Sequence, residues 1–483
     1  MVLLQRHLGY PAFRPGQEDL VRAVLAGRDA LGILPTGGGK SVCYQVPALA
    51  LGGLTLVITP LVSLMEDQVT RARGAGLRAA HLSANQAPDD RRATLTAAQE
   101  GRLDILFVAP ERLELDAFRT VLRGLDVRLL AVDEAHCISE WGHDFRPAYR
   151  RIGVLRSALS CPTLALTATA TPSVREDVLG SLGLTDPLVV VRSFDRPNLS
   201  WFVLPGRSAE ERVSATYALL RRTPGCAIVY APTRRAVERV RDGLANRGVR
   251  TEAYHAGLTG PERSRVQSAF MSGACRVVVA TNAFGMGIDK ADVRMVLHVQ
   301  LPGTLEAYYQ EAGRAGRDGD PAKCVAFHTR TDRRLARSFV DRTHPSWWVL
   351  HRLHARLRSA AGREGIARVD DPRLADLSRD VEEWLEDAGA GPLAALERVG
   401  AVRRLGPARA EIPDARDAPR VGVRGRLSLG PELRLRRSAL AKVDAVQRYA
   451  RASGCRRRAL LGYFGEDAPP RCGACDRCGA APA

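Results

Sequence analysis

The run Leu34-Pro35-Thr36-Gly37-Gly38-Gly39-Lys40-Ser41 holds the residue types that bind a polyphosphate. Glycines let successive backbone N–H groups curl around phosphate oxygens, and a helix starting nearby adds the positive end of its dipole. In that pattern Thr36, Gly37, Gly38 and Gly39 form the cradle, Lys40 reaches the outer phosphates, and the Ser41 hydroxyl ligates Mg²⁺. The general pattern opens with Gly, whereas this chain has Leu34. Downstream, Asp133-Glu134-Ala135-His136 closes the apolar run Leu129 to Val132, at a strand's carboxyl end, where ligand-facing groups are presented. There Asp133 can complete the shell of a metal ion while Glu134 orients and deprotonates a water. A third run spans Tyr309 to Gly319, with Gln310, Arg314 and Arg317 at i, i+4 and i+7. That spacing predicts one helical face. Two guanidiniums projected together suit the charge that develops on a transferring phosphoryl group. Each run alone has a bland reading: a flexible turn, a solvated cap, a salt-bridged surface. Their coincidence favours chemistry.

The cysteines form two classes. Cys43, Cys137, Cys161, Cys226, Cys275 and Cys324 are scattered among apolar neighbours, as small buried hydrophobes usually are. Cys455, Cys472, Cys475 and Cys478 crowd together as Cys-x16-Cys-x2-Cys-x2-Cys. Four thiolates are the natural tetrahedral set for Zn²⁺, with a redox or iron–sulfur role as the alternative. The start of the chain shows no export signal, since Arg6 and His7 follow only a short apolar start. A reducing compartment is therefore expected, and clustered thiols there suggest metal before disulfide.

These groups need scaffolds. Ala30 to Leu34, Leu54 to Ile58, Ile105 to Val108, Leu129 to Val132, Ala227 to Tyr230 and Val277 to Ala280 read as buried parallel strands, each followed by a helix-like stretch. That alternation predicts two α/β domains, with a break near Asn198 to Ser208. Beyond about residue 345 the chain is Arg-rich and interrupted by Gly/Pro stretches such as Glu411 to Gly425. At 483 residues there is room for three or four compact units. Lys+Arg 71 against Asp+Glu 53 gives +18, which points to a polyanionic partner. A membrane surface is the weaker candidate, because the most apolar long window, Val42 to Ile58, contains Gln45, Pro47 and Gly52-Gly53. The 45% hydrophobic and 26% charged contents are those of a folded protein rather than a disordered basic tail.

Taken together, these motifs resemble the RecQ family of superfamily 2 DNA helicases. Phe13-Arg14-Pro15-Gly16-Gln17 is similar to the family's adenine-sensing element, and the triple-Gly loop opening with a large apolar residue is the family's own form. Asp133 to His136 runs into Cys137-Ile138-Ser139-Glu140-Trp141-Gly142-His143-Asp144-Phe145-Arg146-Pro147, which resembles its aromatic-rich loop. Leu166 to Thr171, Tyr254-His255-Ala256-Gly257-Leu258 and Thr281 to Lys290 resemble later helicase motifs in order. The resemblance implies two tandem RecA-like domains followed by a mostly helical basic region and a zinc-binding module. It implies ATP, Mg²⁺ and Zn²⁺ as cofactors. Arg14, Gln17, Asp289 and Gln310 would join the phosphate loop in binding nucleotide, with Gln17 reading adenine. Arg314 and Arg317 would come from the second domain, Arg317 as arginine finger. Trp141, His143, Phe145, Arg146 and His255 would contact DNA; two of these are aromatics able to stack on unpaired bases. Cys455, Cys472, Cys475 and Cys478 would hold the zinc.

The implied activity is ATP-driven 3′→5′ translocation and unwinding of forked or branched duplexes. The implied setting is the cytoplasm at the nucleoid, without membrane attachment, with a single-strand-binding protein as a possible partner. An RNA remodeller is the first rival, since Asp-Glu-Ala-His occurs there too, but the aromatic loop and cysteines argue against it. A binding protein with a decayed motor is the second, opposed by intact Lys40, Glu134 and Arg317. The expected domains are 1–205, 206–345, a basic insertion 346–435 and a zinc module 436–483. The family's C-terminal winged helix and helicase-and-RNase-D domains are expected to be missing, as five residues follow Cys478. Instead, Gly391 to Arg404 reads as a short helix leading through a Gly turn into an Arg-bearing strand, as in a winged helix. From Arg398 to Arg458 there are 17 Lys+Arg against 5 Asp+Glu.

Overall fold

A computed structural model describes residues 1–482 apart from 61, 84–85, 143, 286–287, 289, 363–364, 369–370, 372–373, 375–390, 406–419 and 425–426. His143 and Asp289 lie outside the described residues. The chain divides into two compact units, Met1–His328 with Tyr449–Ala483, and Thr329–Arg448.

Two parallel sheets build the larger unit. The first contains β1 (Ala30–Ile33), β2 (Leu54–Ile58), β3 (Ala79–Leu82), β4 (Ile105–Val108), β5 (Val127–Val132), β6 (Thr163–Thr167) and β7 (Leu188–Val191), in the order β3-β4-β2-β5-β6-β1-β7. The second contains β8 (Leu199–Pro205), β9 (Cys226–Tyr230), β10 (Thr251–Tyr254), β11 (Val277–Ala280), β12 (Val293–His298) and β13 (Ala322–His328), in the order β10-β11-β9-β12-β13-β8. The central strands are apolar on both faces because helices cover both: every residue of β1, β2, β4 and β11 is buried. The two cores are separate. One gathers Val57, Phe107, Leu129 and Leu164; the other gathers Phe202, Val229, Val277 and Leu297.

Three sequence expectations need correction. The apparent break at 198–208 contains β8, which pairs along β13 from Leu199↔Ala322 to Pro205↔His328. The second sheet therefore begins inside the span 1–205, because Leu199, Trp201 and Phe202 are buried on it. The smaller unit begins at Thr329, ahead of 346. By its contacts 436–448 clusters with the smaller unit, although the helix Gly430–Arg451 runs on past that bound. Glu432, fully buried, ties the start of that helix to Arg398 at 2.8 Å and His344 at 2.8 Å. The smaller unit is mostly helical, with a small antiparallel sheet of β14 (Ile366–Arg368), β15 (Val402–Leu405) and β16 (Arg420–Val423) in the order β14-β16-β15. The helices Trp347–Ala361 and Gly391–Arg398 pack their apolar faces on this unit's core through Leu350, Leu353, Leu357, Leu393 and Leu396. Among the described residues no helix is long and apolar enough to cross a membrane.

Candidate nucleotide, nucleic-acid and zinc sites

Phosphate-loop and acidic motifs meet at the carboxyl ends of β1 and β5, which flank β6. Past Ile33 the chain turns through Gly37 at φ 82° and Gly39 at φ 74°, a region that disfavours any residue with a Cβ. It then enters the helix Val42–Leu51, and the preceding Ser41 makes no side-chain capping bond. Lys40 Nζ lies 2.8 Å from Glu134 Oε1, and both side chains are largely buried. Glu134 adopts φ 46°, uncommon for a residue with a side chain. Asp133 Oδ1 accepts from the Glu134 N–H at 2.9 Å. His136 Nδ1 lies 2.8 Å from Thr167 Oγ1 at the end of β6 and 3.3 Å from Glu134 Oε2.

The electrostatics follow from burial and charge. Burial alone would lower Lys40, but Glu134 and Asp133 hold its pKa above the ordinary lysine value. Burial would raise Glu134; Lys40 and His136 outweigh it and keep that carboxyl well below the usual range. Burial, with Glu134 alongside, raises Asp133 despite Lys40. The site therefore holds one firm carboxylate, one ammonium and one carboxyl that ionises reluctantly. A cation beside Asp133 would reverse that reluctance.

Gln17 and Arg14 close over the loop. Gln17 Nε2 donates to the Gly38 and Gly39 carbonyls at 3.0 and 2.9 Å, Gln17 Oε1 accepts from the Arg14 N–H at 2.8 Å, and the Arg14 guanidinium donates to the Gly37 carbonyl. From the second sheet, the Arg317 side chain lies over Gly37, so a Cβ there would sit 3.7 Å from its Cγ and Cδ. A Cβ on Gly313 would likewise come within 3.4 Å of Thr36. Thr36 Oγ1 is buried with no hydrogen-bond partner.

Arg314 and Arg317 do not share a helical face. The helix Leu305–Ala312 ends at Gly313, and Gly316 at φ 54° turns the chain. Gln310 remains on that helix. Arg314 is buried, its guanidinium against Gly285 and near the Tyr230 hydroxyl, which donates to the Phe284 carbonyl at 2.7 Å. Burial raises the Tyr230 hydroxyl to about 12, although Arg314 opposes the shift. Of the two, Arg317 is the one that lies over the phosphate loop at Gly37.

The aromatic loop follows Glu134 directly through the turn Ala135–Ile138, and the Tyr149 hydroxyl donates to the Asp133 carbonyl at 3.0 Å. Sequence reasoning missed Tyr149, which has no motif signal of its own. Trp141 is 45% exposed, while its N–H is held by Ser139 Oγ, itself 2.6 Å from Asp177. Phe145 is half-buried under the Arg150 guanidinium. Arg146 is bound to the Pro60 carbonyl at 2.8 Å and to Asp144 at 3.2 Å. His255 is buried against Glu238 at 2.8 Å. Trp141 thus offers the open stacking face, while Arg146 and His255 are engaged within the protein.

Cys455, Cys472, Cys475 and Cys478 place their sulfurs within 4.8 Å of one another. Tetrahedral Zn–S bonds of about 2.3 Å separate sulfurs by about 3.8 Å, so the set fits zinc with a small contraction. Burial opposes ionisation of Cys478, yet the Cys472 and Gly473 N–H groups draw its thiol down to about 6. Fully buried Arg456 pairs with Asp476 at 3.0 Å, and the Trp201 N–H donates to the Ala474 carbonyl at 3.1 Å. The cluster is thereby fixed to β8.

Fold and site together define a two-sheet motor of the helicase type, with a phosphate loop on one sheet and an arginine turn on the other. Family models agree: "DEAD/DEAH box helicase" matches residues 14–178, "Helicase conserved C-terminal domain" 211–319, and "RecQ zinc-binding" 427–479. The chain is 34% identical over 484 residues to the "Probable ATP-dependent DNA helicase RecS" of Bacillus subtilis, covering 99% of this chain and 91% of that protein. It is 44% identical to the "ATP-dependent DNA helicase RecQ" of Pasteurella multocida over 68% of this chain and 52% of that one. The corresponding Bacillus subtilis RecQ is 43% identical over 71% and 58%. The match thus spans little more than half the length of these RecQ proteins. The chain belongs to the RecQ family of superfamily 2 helicases. Among solved structures, Mycobacterium smegmatis helicase Lhr bound to ssDNA and AMP-PNP shares the fold at TM-score 0.56 and 23% identity, covering 91% of this chain and 62% of that one. Saccharomyces cerevisiae Dbp5 bound to RNA and ADP BeF3 does so at 0.57 and 16%, covering 70% and 90%.

Proposed function

We propose that the chain is an ATP-dependent DNA helicase that hydrolyses ATP between its two parallel-sheet domains and moves on single-stranded DNA. One observation carries the reading: Lys40, Glu134 and the Gly37 loop of the first sheet converge with Arg317 of the second. Lys40 is paired with Glu134. Phosphate oxygens would compete for the ammonium, releasing Glu134 to take up and orient the attacking water. Arg317 would then meet the charge developing on the transferred group. Ser41 and Asp133 would hold Mg²⁺, which supplies charge neutralisation at the phosphates, and the buried Thr36 hydroxyl, without a hydrogen-bond partner, could donate to a phosphate oxygen. Gln17, now spent on loop carbonyls, would turn to the adenine edge.

Glu134 is joined by four residues of backbone to Ser139, which holds Trp141, so occupancy of the nucleotide site can be felt at the stacking face. The smaller unit, with its antiparallel strands following a short helix and its excess of Arg, would grip duplex through phosphate contacts. Steady-state ATP turnover with single-stranded DNA, single-stranded RNA or no polymer tests the reading. Stimulation by DNA well above RNA supports it; equal stimulation, or none, defeats it.

A further inference from the structure

The stretch between the two sheets, residues 193–198, makes contacts out of proportion to its length. Arg196 sends its guanidinium into the arginine turn, donating to the carbonyls of Gly313 at 3.1 Å, Ala315 at 3.0 Å and Gly316 at 2.8 Å. Asn198 Nδ2 adds bonds to the Gly316 and Asp320 carbonyls, both at 2.8 Å. A Cβ on Gly316 would lie 2.5 Å from Asn198 Nδ2, so this turn is built around the linker. On the far side, the Gly316 and Arg317 N–H groups donate to the Val293 and Ala291 carbonyls at 2.9 and 3.1 Å. The backbone that aims Arg317 is thus satisfied from both sides.

The linker is in turn held by the cysteine module. Phe194 stacks on Phe464 at 4.5 Å, its N–H donates to Glu466 at 2.8 Å, and Ser193 also donates to Glu466. Arg457 donates to the Pro197 and Leu199 carbonyls at 2.9 and 3.0 Å. These partners are 258 to 273 residues apart in sequence.

We infer that Arg196 is a positioning residue for ATP hydrolysis: it fixes the 313–316 carbonyls so that Arg317 points at the phosphate loop, with the zinc module bracing the linker behind it. The inference rests on the reading of the site given above. Three carbonyls converging on one planar fork suit Arg and no other side chain, since a Lys ammonium cannot spread over them. Loss of the fork removes its three bonds to the turn and leaves Asn198 as the holder on that side, and displacements of about 1 Å can cost about 100-fold in rate.

The test is kcat and KM for ATP, with saturating single-stranded DNA, for wild type, Arg196→Ala, Arg196→Lys, Arg317→Ala and the Arg196→Ala/Arg317→Ala double variant. Melting temperature and zinc content are read on the same samples. Arg196→Ala is expected to lose about 100-fold in kcat with KM changed less than about threefold. Arg196→Lys should recover little of this, and it carries the comparison by itself should the alanine variant prove insoluble. Acting only through Arg317, Arg196 should add nothing once Arg317 is gone, so the double variant should match Arg317→Ala within about threefold. Multiplying losses, full rescue by Lys, or a raised KM with unchanged kcat would overturn the inference. A wild-type chain without DNA-stimulated turnover would instead defeat the reading of the site itself.

Discussion

Replacing Lys40 by Ala should do more than abolish hydrolysis. It should make the stability of the nucleotide-free protein depend on pH in a specified direction. Lys40 is the cation beside two adjacent carboxyl groups, at 2.8 Å from Glu134. At that distance and an effective dielectric of about 20, the pair attracts by about 6 kcal/mol before desolvation. Removing one partner of such a buried pair costs about 3 kcal/mol or more, because the other charge is stranded. In the wild type, Glu134 is depressed and Lys40 raised. The Glu134 contribution is complete above the unfolded carboxyl range and lost as pH falls through the folded value. The Lys40 contribution is complete below the unfolded lysine value and lost above the folded one. Between about pH 5.5 and 9 both are present.

In Lys40→Ala, Asp133 and Glu134 share a buried corner without Lys40, so at least one pKa rises, and stability returns as that group takes up a proton on acidification. Differential scanning fluorimetry without nucleotide should show the variant melting about 6 to 12 °C below wild type at pH 8. At pH 5.5 the gap should close by at least half. A gap that is absent at pH 8, or identical at both pH values, would refute the ion-pair reasoning.

Three further outcomes are expected. Cys472→Ser should lower zinc from one ion per chain and reduce soluble yield, as structural zinc supplies folding free energy to its module; wild type purified without chelator and lacking zinc would contradict the assignment. Trp141→Ala should weaken single-stranded DNA binding by about 10- to 100-fold, the value of one stacked base, while leaving nucleotide affinity unchanged; fluorescence anisotropy decides this. Deleting the whole smaller unit, Thr329–Arg448, should weaken forked-duplex binding and flatten its salt dependence, since fewer counterions are released; fork binding equal to full length at matched salt would make the unit a spacer.

What the sequence made legible was whatever is local. The buried runs at 54–58, 105–108 and 277–280 are apolar throughout, and strands buried on both faces write themselves that way. The phosphate loop, the acidic pair and the cysteine cluster are short motifs whose members sit together by sequence alone. β8 was hidden because Arg196-Pro197-Asn198 reads as punctuation and Ser200 and Pro205 dilute the apolar signal. Periodicity carried the third motif past Gly313 as a helix, whereas the chain turns there to separate Arg314 from Arg317. The roles of Arg196, Arg457 and Glu466 rest on tertiary contacts, for which a single sequence offers no pattern. His255 and Arg146 matched motifs, yet His255 Nε2 lies 2.8 Å from Glu238 and Arg146 is paired with Asp144; motif spacing says nothing about which partner wins.

Under the proposed function, ATP turnover at the two-sheet site would drive strand separation. Its most direct measurement is displacement of a labelled strand from a forked DNA duplex, comparing ATP, a non-hydrolysable analogue and the Glu134→Gln variant with ATP. Displacement is expected from wild type with ATP and Mg²⁺ only, with the analogue and Glu134→Gln supporting fork binding but no displacement. Displacement by Glu134→Gln at the wild-type rate, or none by wild type on any fork while ATP is being hydrolysed, would contradict it.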